Sequence, residues 1–190
     1  MSEQERQQQP ESRTVSDPAA LKALAHPLRL KILRHLGIHG PATSTTLAAA
    51  LGENTGTLSY HLRQLERGGF IEDAPDRPSG RERWWRAVRG RDVRRPPQEG
   101  MTESERAVAT TLDRMRAEED MELVRRFTAE QADAQAWLRG SRSLSHLTAE
   151  EVDAFHDAYL ELLARFSRGP EEAPPGARPV HLRWFALPAD

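Results

Sequence analysis

Between residues 17 and 69 apolar positions recur with the period of an α-helix in four short bursts, each closed by proline or glycine. Asp17-Pro18 offers a capping residue and a first-turn proline. Leu21, Leu24 and Ala25 follow, and His26-Pro27 breaks the stripe because a residue before proline disfavours the α region. A second helix starts at Pro27, with Leu28, Ile32, Leu33 and Leu36 inward and Arg29, Lys31 and Arg34 between them, and the segment Gly37 to Pro41 ends it. Thr43 caps a third, short helix that buries Leu47, Ala48 and Leu51 and closes at Gly52. The fourth begins near Asn54 or Thr55, buries Leu58, Leu62 and Leu65, and stops at Gly68-Gly69. Two short helices around a tight turn containing glycine form a helix-turn-helix candidate. The period then shortens. Phe70 to Asp73 reads as a strand, Ala74 to Gly80 as a loop, and Arg81 to Val88 as a second strand. A hairpin after such a helix is a wing. Trp84 and Trp85 are neighbours on a strand and must face opposite sides, so one closes the core and the other meets another surface.

Arg89 to Gly100 is polar, with two prolines, and reads as a linker. Thr102 and Glu105 form a capping box that opens a helix through Val108, Leu112 and Met115 toward Met121, Val124 and Phe127, either as one long helix or as two restarted at Thr128. A second capping box, Thr148 with Glu151, opens a last helix carrying Val152, Phe155, Tyr159, Leu162, Leu163 and Phe166. Apolar and polar residues alternate at the start of 180–187, which admits a strand there. The expected architecture is mainly α with a small β-hairpin wing. It divides into a disordered arm at 1–16, a winged helix-turn-helix domain at 17–90, a linker at 91–101, a helical dimerisation region at 102–168 and a tail at 169–190.

Charge sharpens this division. The chain of 190 residues has a net charge of −2, but the sum conceals an asymmetry. Residues 17–98 hold 14 Lys and Arg against 8 Asp and Glu, whereas residues 99–190 hold 11 against 18. A basic first half joined to an acidic second half points to a polyanion as partner of the first. No apolar run approaches the roughly 18 residues that span a bilayer, the polar N-terminus is no secretory signal, and no membrane partner is expected. The absence of cysteine fits a cytoplasmic protein and excludes thiolate chemistry in this chain.

Taken in order, "ALAHPLRLKIL", "LSYHLRQLERGGFI" and the aromatic pair in "GRERWWRAV" resemble the ArsR-like winged helix-turn-helix regulators of bacteria, over about residues 17–88. The helical remainder is similar to the appendages of actinobacterial members only in a general way. The resemblance implies a homodimeric regulator of transcription, more often a repressor, that places its recognition helix in the major groove of a pseudo-palindromic duplex site. Founding members sense metals through cysteines. This chain has none, so that sensing mode is not carried over and the effector stays open.

On this reading the DNA-facing residues are Asn54, Thr55, Thr57, Ser59, Tyr60, His61, Arg63 and Gln64 of the recognition helix, with Ser59 and His61 placed by the resemblance. Short hydroxyls suit phosphates or thymine methyls, and Gln64 suits adenine. Thr43, Ser44 and Thr45 open the preceding helix, whose amides could hold a phosphate. Arg77, Arg81 and Arg83 lie on the wing, where arginine grips the backbone or enters the minor groove.

Other features weigh less. His35 and His39 have a metal-binding spacing, but Gly37 between them should end the helix and no third ligand is close in sequence. His146, His156, Asp153 and Asp157 read as a solvated face. Met115, Met121, Phe127, Trp137, Phe155 and Tyr159 either line an effector cavity or form a dimer core, and the second is favoured. No metal or cofactor is expected. Phosphate-loop, dinucleotide, zinc-protease and nucleophile-elbow motifs are missing, so the chain does not read as an enzyme. The alternative is an interaction module whose winged helix no longer binds DNA, which an acidic or apolar recognition face would favour.

Overall fold

The computed structural model describes residues 17–74, 82–90, 93, 99–129 and 138–189. Among these, α1 spans Pro18–Lys22, α2 Pro27–His39, β1 Ala42–Thr43, α3 Ser44–Leu51, α4 Thr55–Arg67, β2 Ile71–Asp73, β3 Trp84–Ala87, α5 Glu103–Ala129 and α6 Ala149–Phe166, with a 3₁₀ turn at Pro170–Glu172. The expected arm at 1–16, the wing tip and most of the linker fall outside the described residues.

Local chemistry explains the helix boundaries. α1 stops at Lys22, ahead of the expected break at His26-Pro27, in a turn closed by the Ala23 and Leu24 amides, whereas His26 is extended and its Nδ1 accepts from the Leu28 amide at 3.1 Å to cap α2. Thr43 accepts from the Thr46 amide to start α3, and Gly52, at φ 69°, ends it in the left-handed region that glycine enters without steric cost. Asn54 accepts from the Thr57 amide to start α4. Thr102–Glu105 and Thr148–Glu151 both form reciprocal caps.

Gly37 does not end α2, contrary to the sequence reading. The helix runs on to His39, and Gly40 at φ 85° terminates it. An interior glycine costs only about 1 kcal/mol relative to alanine, which the burial of Ile32 and Leu36 outweighs. α5 is one helix of 27 residues as far as it is described.

The core gathers one face of each N-terminal helix: Leu21 of α1 with Leu24 of the turn after it, Leu28, Ile32 and Leu36 of α2, Leu47 of α3, and Leu58, Leu62 and Leu65 of α4. Ile71 and Trp85 of the sheet and Leu112 of α5 close it. The sheet is antiparallel in the order β1-β3-β2, with Ala42 opposite Trp85 and Ile71 opposite Ala87. Strand β1 escaped the sequence reading because two residues are too short to show a period. Trp85 points into the core and Trp84 does not, as their adjacency requires.

The first half of α5 packs against α1 and sends Ala109 and Leu112 inward, while its last turns run clear of the winged domain. The strand admitted at 180–187 is absent. No strand among the described residues runs beside that segment, and side chains hold it instead. Arg183 bridges to Asp120 of α5 at 2.8 Å, and Trp184 stacks on Phe155 of α6 at 5.2 Å. No helix of the described residues is long and apolar enough to cross a membrane.

Gly68 joins α4 to β2 where there is no room for a side chain. A Cβ there would stand 2.7 Å from the Ala23 Cβ and 2.9 Å from the Phe70 ring. Gly68→Ala is expected to cost about 1–3 kcal/mol in urea denaturation, as overpacking does. A stability within about 0.5 kcal/mol of wild type would show that the turn after α1 gives way freely.

Candidate nucleic-acid interface

Burial of Leu58, Leu62 and Leu65 fixes the rotation of α4, and helical periodicity does the rest. The outward stripe is Gly56, Tyr60, Arg63 and Arg67, at i, i+4, i+7 and i+11, all exposed, with Tyr60 at 58%. Ser59 and Gln64 flank it and are half-buried. Within the helix Ser59 Oγ donates to the Thr55 carbonyl at 2.8 Å, and Arg63 Nε donates to the Ser59 carbonyl at 3.2 Å. Thr55 is exposed and Thr57 half-buried at the start of the helix, where Asn54 Oδ1 accepts from the Thr57 amide and is committed to the cap. Sequence reasoning missed Arg67, although its spacing from Tyr60 and Arg63 carried the signal.

Two expected contact residues lie elsewhere. His61 is 7% exposed and turned into the domain, its ring 4.3 Å from that of His26. The outward placement of His61 is therefore corrected: its spacing of three from Leu58 and four from Leu65 puts it on the inner face of the helix. Thr43 is 4% exposed and its hydroxyl is spent on the cap of α3. Ser44 and Thr45 remain accessible at the start of α3, but Thr45 donates to Glu82 at 2.5 Å. A phosphate at this helix end would have to displace or share with that carboxylate.

The wing is tied to the recognition helix. Arg83 forks between Asp73 at 2.5 Å and Glu66 at 2.6 Å while its guanidinium lies 4.0 Å from the Trp85 ring. The hydrogen bond from Arg83 holds Asp73 below the usual carboxylate range, and the two acids raise Arg83. Arg83 thus acts within the fold rather than as a free wing cation. Arg86 pairs with Glu72 directly across the ladder at 2.8 Å. Arg77 and Arg81 lie outside the described residues.

Behind α4 sits a small polar cluster. His61 Nδ1 and Arg29 Nε are buried without a hydrogen-bond partner among the described residues. Burial first, then the neighbouring imidazole and Arg29, hold His61 below the ordinary histidine value, with Glu53 opposing. His26 is lowered by burial and then by Arg29. The His35 and His39 rings lie 4.5 Å apart, and no group of three or more His, Cys, Asp or Glu among the described residues could hold a metal ion.

Residues 24–74 match the family model of a helix-turn-helix domain. The chain is similar to the homodimeric winged helix-turn-helix DNA-binding domain of a possible ArsR-family regulator from Mycobacterium bovis, at 26% identity over 53% of this chain and 77% of that one, with a TM-score of 0.34. It is also similar to HlyU from Vibrio cholerae, at 22% identity over 51% and 84% with a TM-score of 0.32. A transcriptional regulator from Thermotoga maritima matches at 16% identity over 79% and 87%, with a TM-score of 0.33. No curated protein matches the chain.

The histidine pair makes stability depend on pH. Both imidazoles titrate below 6.5 in the folded protein, so folding favours their neutral forms. Their contribution is complete above that value and is lost as pH falls through it. The urea midpoint is expected to drop between about pH 7.5 and 5.5. In the double variant His26→Asn with His61→Gln, where Asn still caps α2, the drop is expected to shrink. An undiminished drop would clear the pair of responsibility.

Proposed function

We propose, from the helix-turn-helix domain at residues 24–74 and the face that its second helix presents, that the protein is a sequence-specific DNA-binding regulator of transcription. The observation that carries this reading is the outward stripe of α4, which pairs an exposed aromatic ring with Arg63 and Arg67 and bears no carboxylate. Its nearest acid, Glu66, is turned aside and neutralised by Arg83. An interaction module that had lost DNA binding would not need to keep that face basic.

In this reading α4 enters the major groove, Ser59 and Gln64 meet base edges, and Tyr60, Arg63 and Arg67 meet phosphates. Asn54, Thr55 and Thr57 approach the duplex at the start of the helix, and Ser44 and Thr45 face the adjacent strand. Arg77 and Arg81 extend the contact from the wing. The protein acts as a homodimer on a pseudo-palindromic site with half-sites one or two helical turns apart, and represses by occupying that site. It works in the cytoplasm, with a small organic molecule as the class of effector that a cysteine-free chain leaves room for.

Selection from a random duplex pool, followed by binding in solution, tests this. A two-fold symmetric site is expected. Gln64→Ala should cost about 1–3 kcal/mol and relax one base position. Arg63→Ala should weaken all sequences alike and reduce the salt slope by about one. Absence of any preferred duplex at roughly 100–150 mM salt would sink the proposal. Arg83→Ala is expected to cost less than about 1 kcal/mol of folding stability, its ion pairs being solvent-exposed. It should nevertheless lower affinity severalfold, because the wing loses its tie to the reading helix. Unchanged affinity would show that the clamp is irrelevant to binding.

A further inference from the structure

Two polar residues are buried among the described residues, Thr43 and His61. The cap of α3 accounts for Thr43, whereas His61 lies on the leucine face of α4 with Nδ1 unpartnered among the described residues. Its ring faces His26 at 4.3 Å, and Tyr60 of the outward stripe meets it edge-on at 5.2 Å. His26 in turn holds the Leu28 amide at the start of α2. A line of contacts therefore runs from the exposed face of α4, through two imidazoles, to the cap of the helix behind it.

That line holds only while the imidazoles are neutral. Nδ1 of His26 accepts from the Leu28 amide, so the single proton of the neutral ring sits on Nε2. A second proton would turn Nδ1 into a donor pointed at a donor. The cation so formed would also stand at the positive end of α2, next to Arg29 of its first turn. On His61 a proton would put charge on the buried side of α4, where Arg29 Nε already lacks an acceptor among the described residues. Three groups face the two rings. Arg29 from α2 disfavours their protonation, Glu53 from the turn before α4 favours it, and Tyr60 of α4 touches His61.

We propose that the His26–His61 pair is a proton-sensitive seat for α4: acidification charges the pair, the helix loses its fixed rotation against α2, and the duplex is released. The inference rests on the DNA-binding reading of the proposed function and adds a regulator to it, the proton. The element that couples the two is the packed contact between α2 and α4 itself. New cations also attract phosphate, which opposes release. A phosphate on the outer face stands across the width of the helix, however, about 10 Å away and near the screening length in physiological salt. Repulsion within the buried cluster is screened far less, so release is expected to win.

Binding of the full chain to its selected duplex, measured at fixed ionic strength between about pH 7.5 and 5.5, tests this. Affinity is expected to be flat in the upper part of that range. It should fall roughly tenfold at the acid end, since one linked proton changes an equilibrium by at most about tenfold per pH unit. In His26→Asn with His61→Gln the fall is expected to shrink to about threefold or less, with the remaining histidines left to report any general effect of acid. Glu53→Gln should move the midpoint to lower pH and Arg29→Gln to higher pH, opposite shifts that general loosening by acid does not produce, and these decide the matter if the double variant fails to fold. In the free protein the hydrogen-exchange protection factors of α4 are expected to drop over the same range. Affinity that rises on acidification, or that falls as steeply in the double variant, overturns the inference. A specific duplex bound equally well at both ends of the range would overturn it and spare the DNA reading. Acid loss of α4 protection with no duplex preferred at any pH would overturn the DNA reading and leave the proton-sensitive seat standing.

Discussion

The seating of α4 on the core is the constraint from which the rest of the winged domain follows. With 3.6 residues per turn, burial of Leu58, Leu62 and Leu65 leaves one set of positions for the outside. Gly56, Tyr60, Arg63 and Arg67 are outward because the leucines are inward. The same burial explains why His61 turns inward: it stands three residues from Leu58 and four from Leu65, on the face they bury. A nucleic-acid face is therefore defined by a hydrophobic decision made on the opposite side of the helix. Rotating α4 to expose His61 would withdraw at least one leucine from a site where each contributes about 2–3 kcal/mol.

Seating the helix does not position the wing. Strands β2 and β3 are short, and a hairpin on its own is marginal in water. Two devices anchor it. Trp85 enters the core from β3, next to β1 on its other edge. Arg83 spans from the wing to Glu66 on α4 while its guanidinium covers the same indole. Each exposed ion pair is weak alone, but the fork joins Arg83 and Glu66 into a brace between the wing and α4. It also removes the nearest carboxylate from the reading face.

Much of the winged domain was legible in the sequence because its signals are local. Thr43, Gly52, Asn54 and Gly68 mark boundaries through chemistry confined to a few residues, and the leucine spacings give the buried faces. Errors arose where an outcome depends on contacts remote in sequence. Arg83 looked like a free wing cation until Asp73 and Glu66 were brought beside it. His61 is apart from His26 in the chain, and nothing in the spacing announces that their rings meet. Intrinsic propensity makes Gly37 a breaker, and the core contacts of α2 override it. The alternation at 180–187 was real but meant something other than a strand: Arg183 grips α5 and Trp184 grips α6, so the pattern reports two helices on opposite sides of an extended segment.

The two halves of the chain differ in kind of stability. The N-terminal half buries its apolar faces within one protomer, so its core is complete without a partner. The C-terminal half caps its helices well but buries nothing from α6, which local chemistry specifies and which Trp184 of the tail covers only in part. Capping boxes contribute on the order of 1 kcal/mol each and cannot hold an 18-residue amphipathic helix against solvent by themselves. The opposed charges follow the same division. A polyanion attracted by the basic half would repel the acidic appendage and so turn α4 and the wing toward itself. The +6 of residues 17–98 and the −7 of residues 99–190, which the net charge conceals, thus fit the proposed function, in which the first meets a duplex and the second is kept away from it.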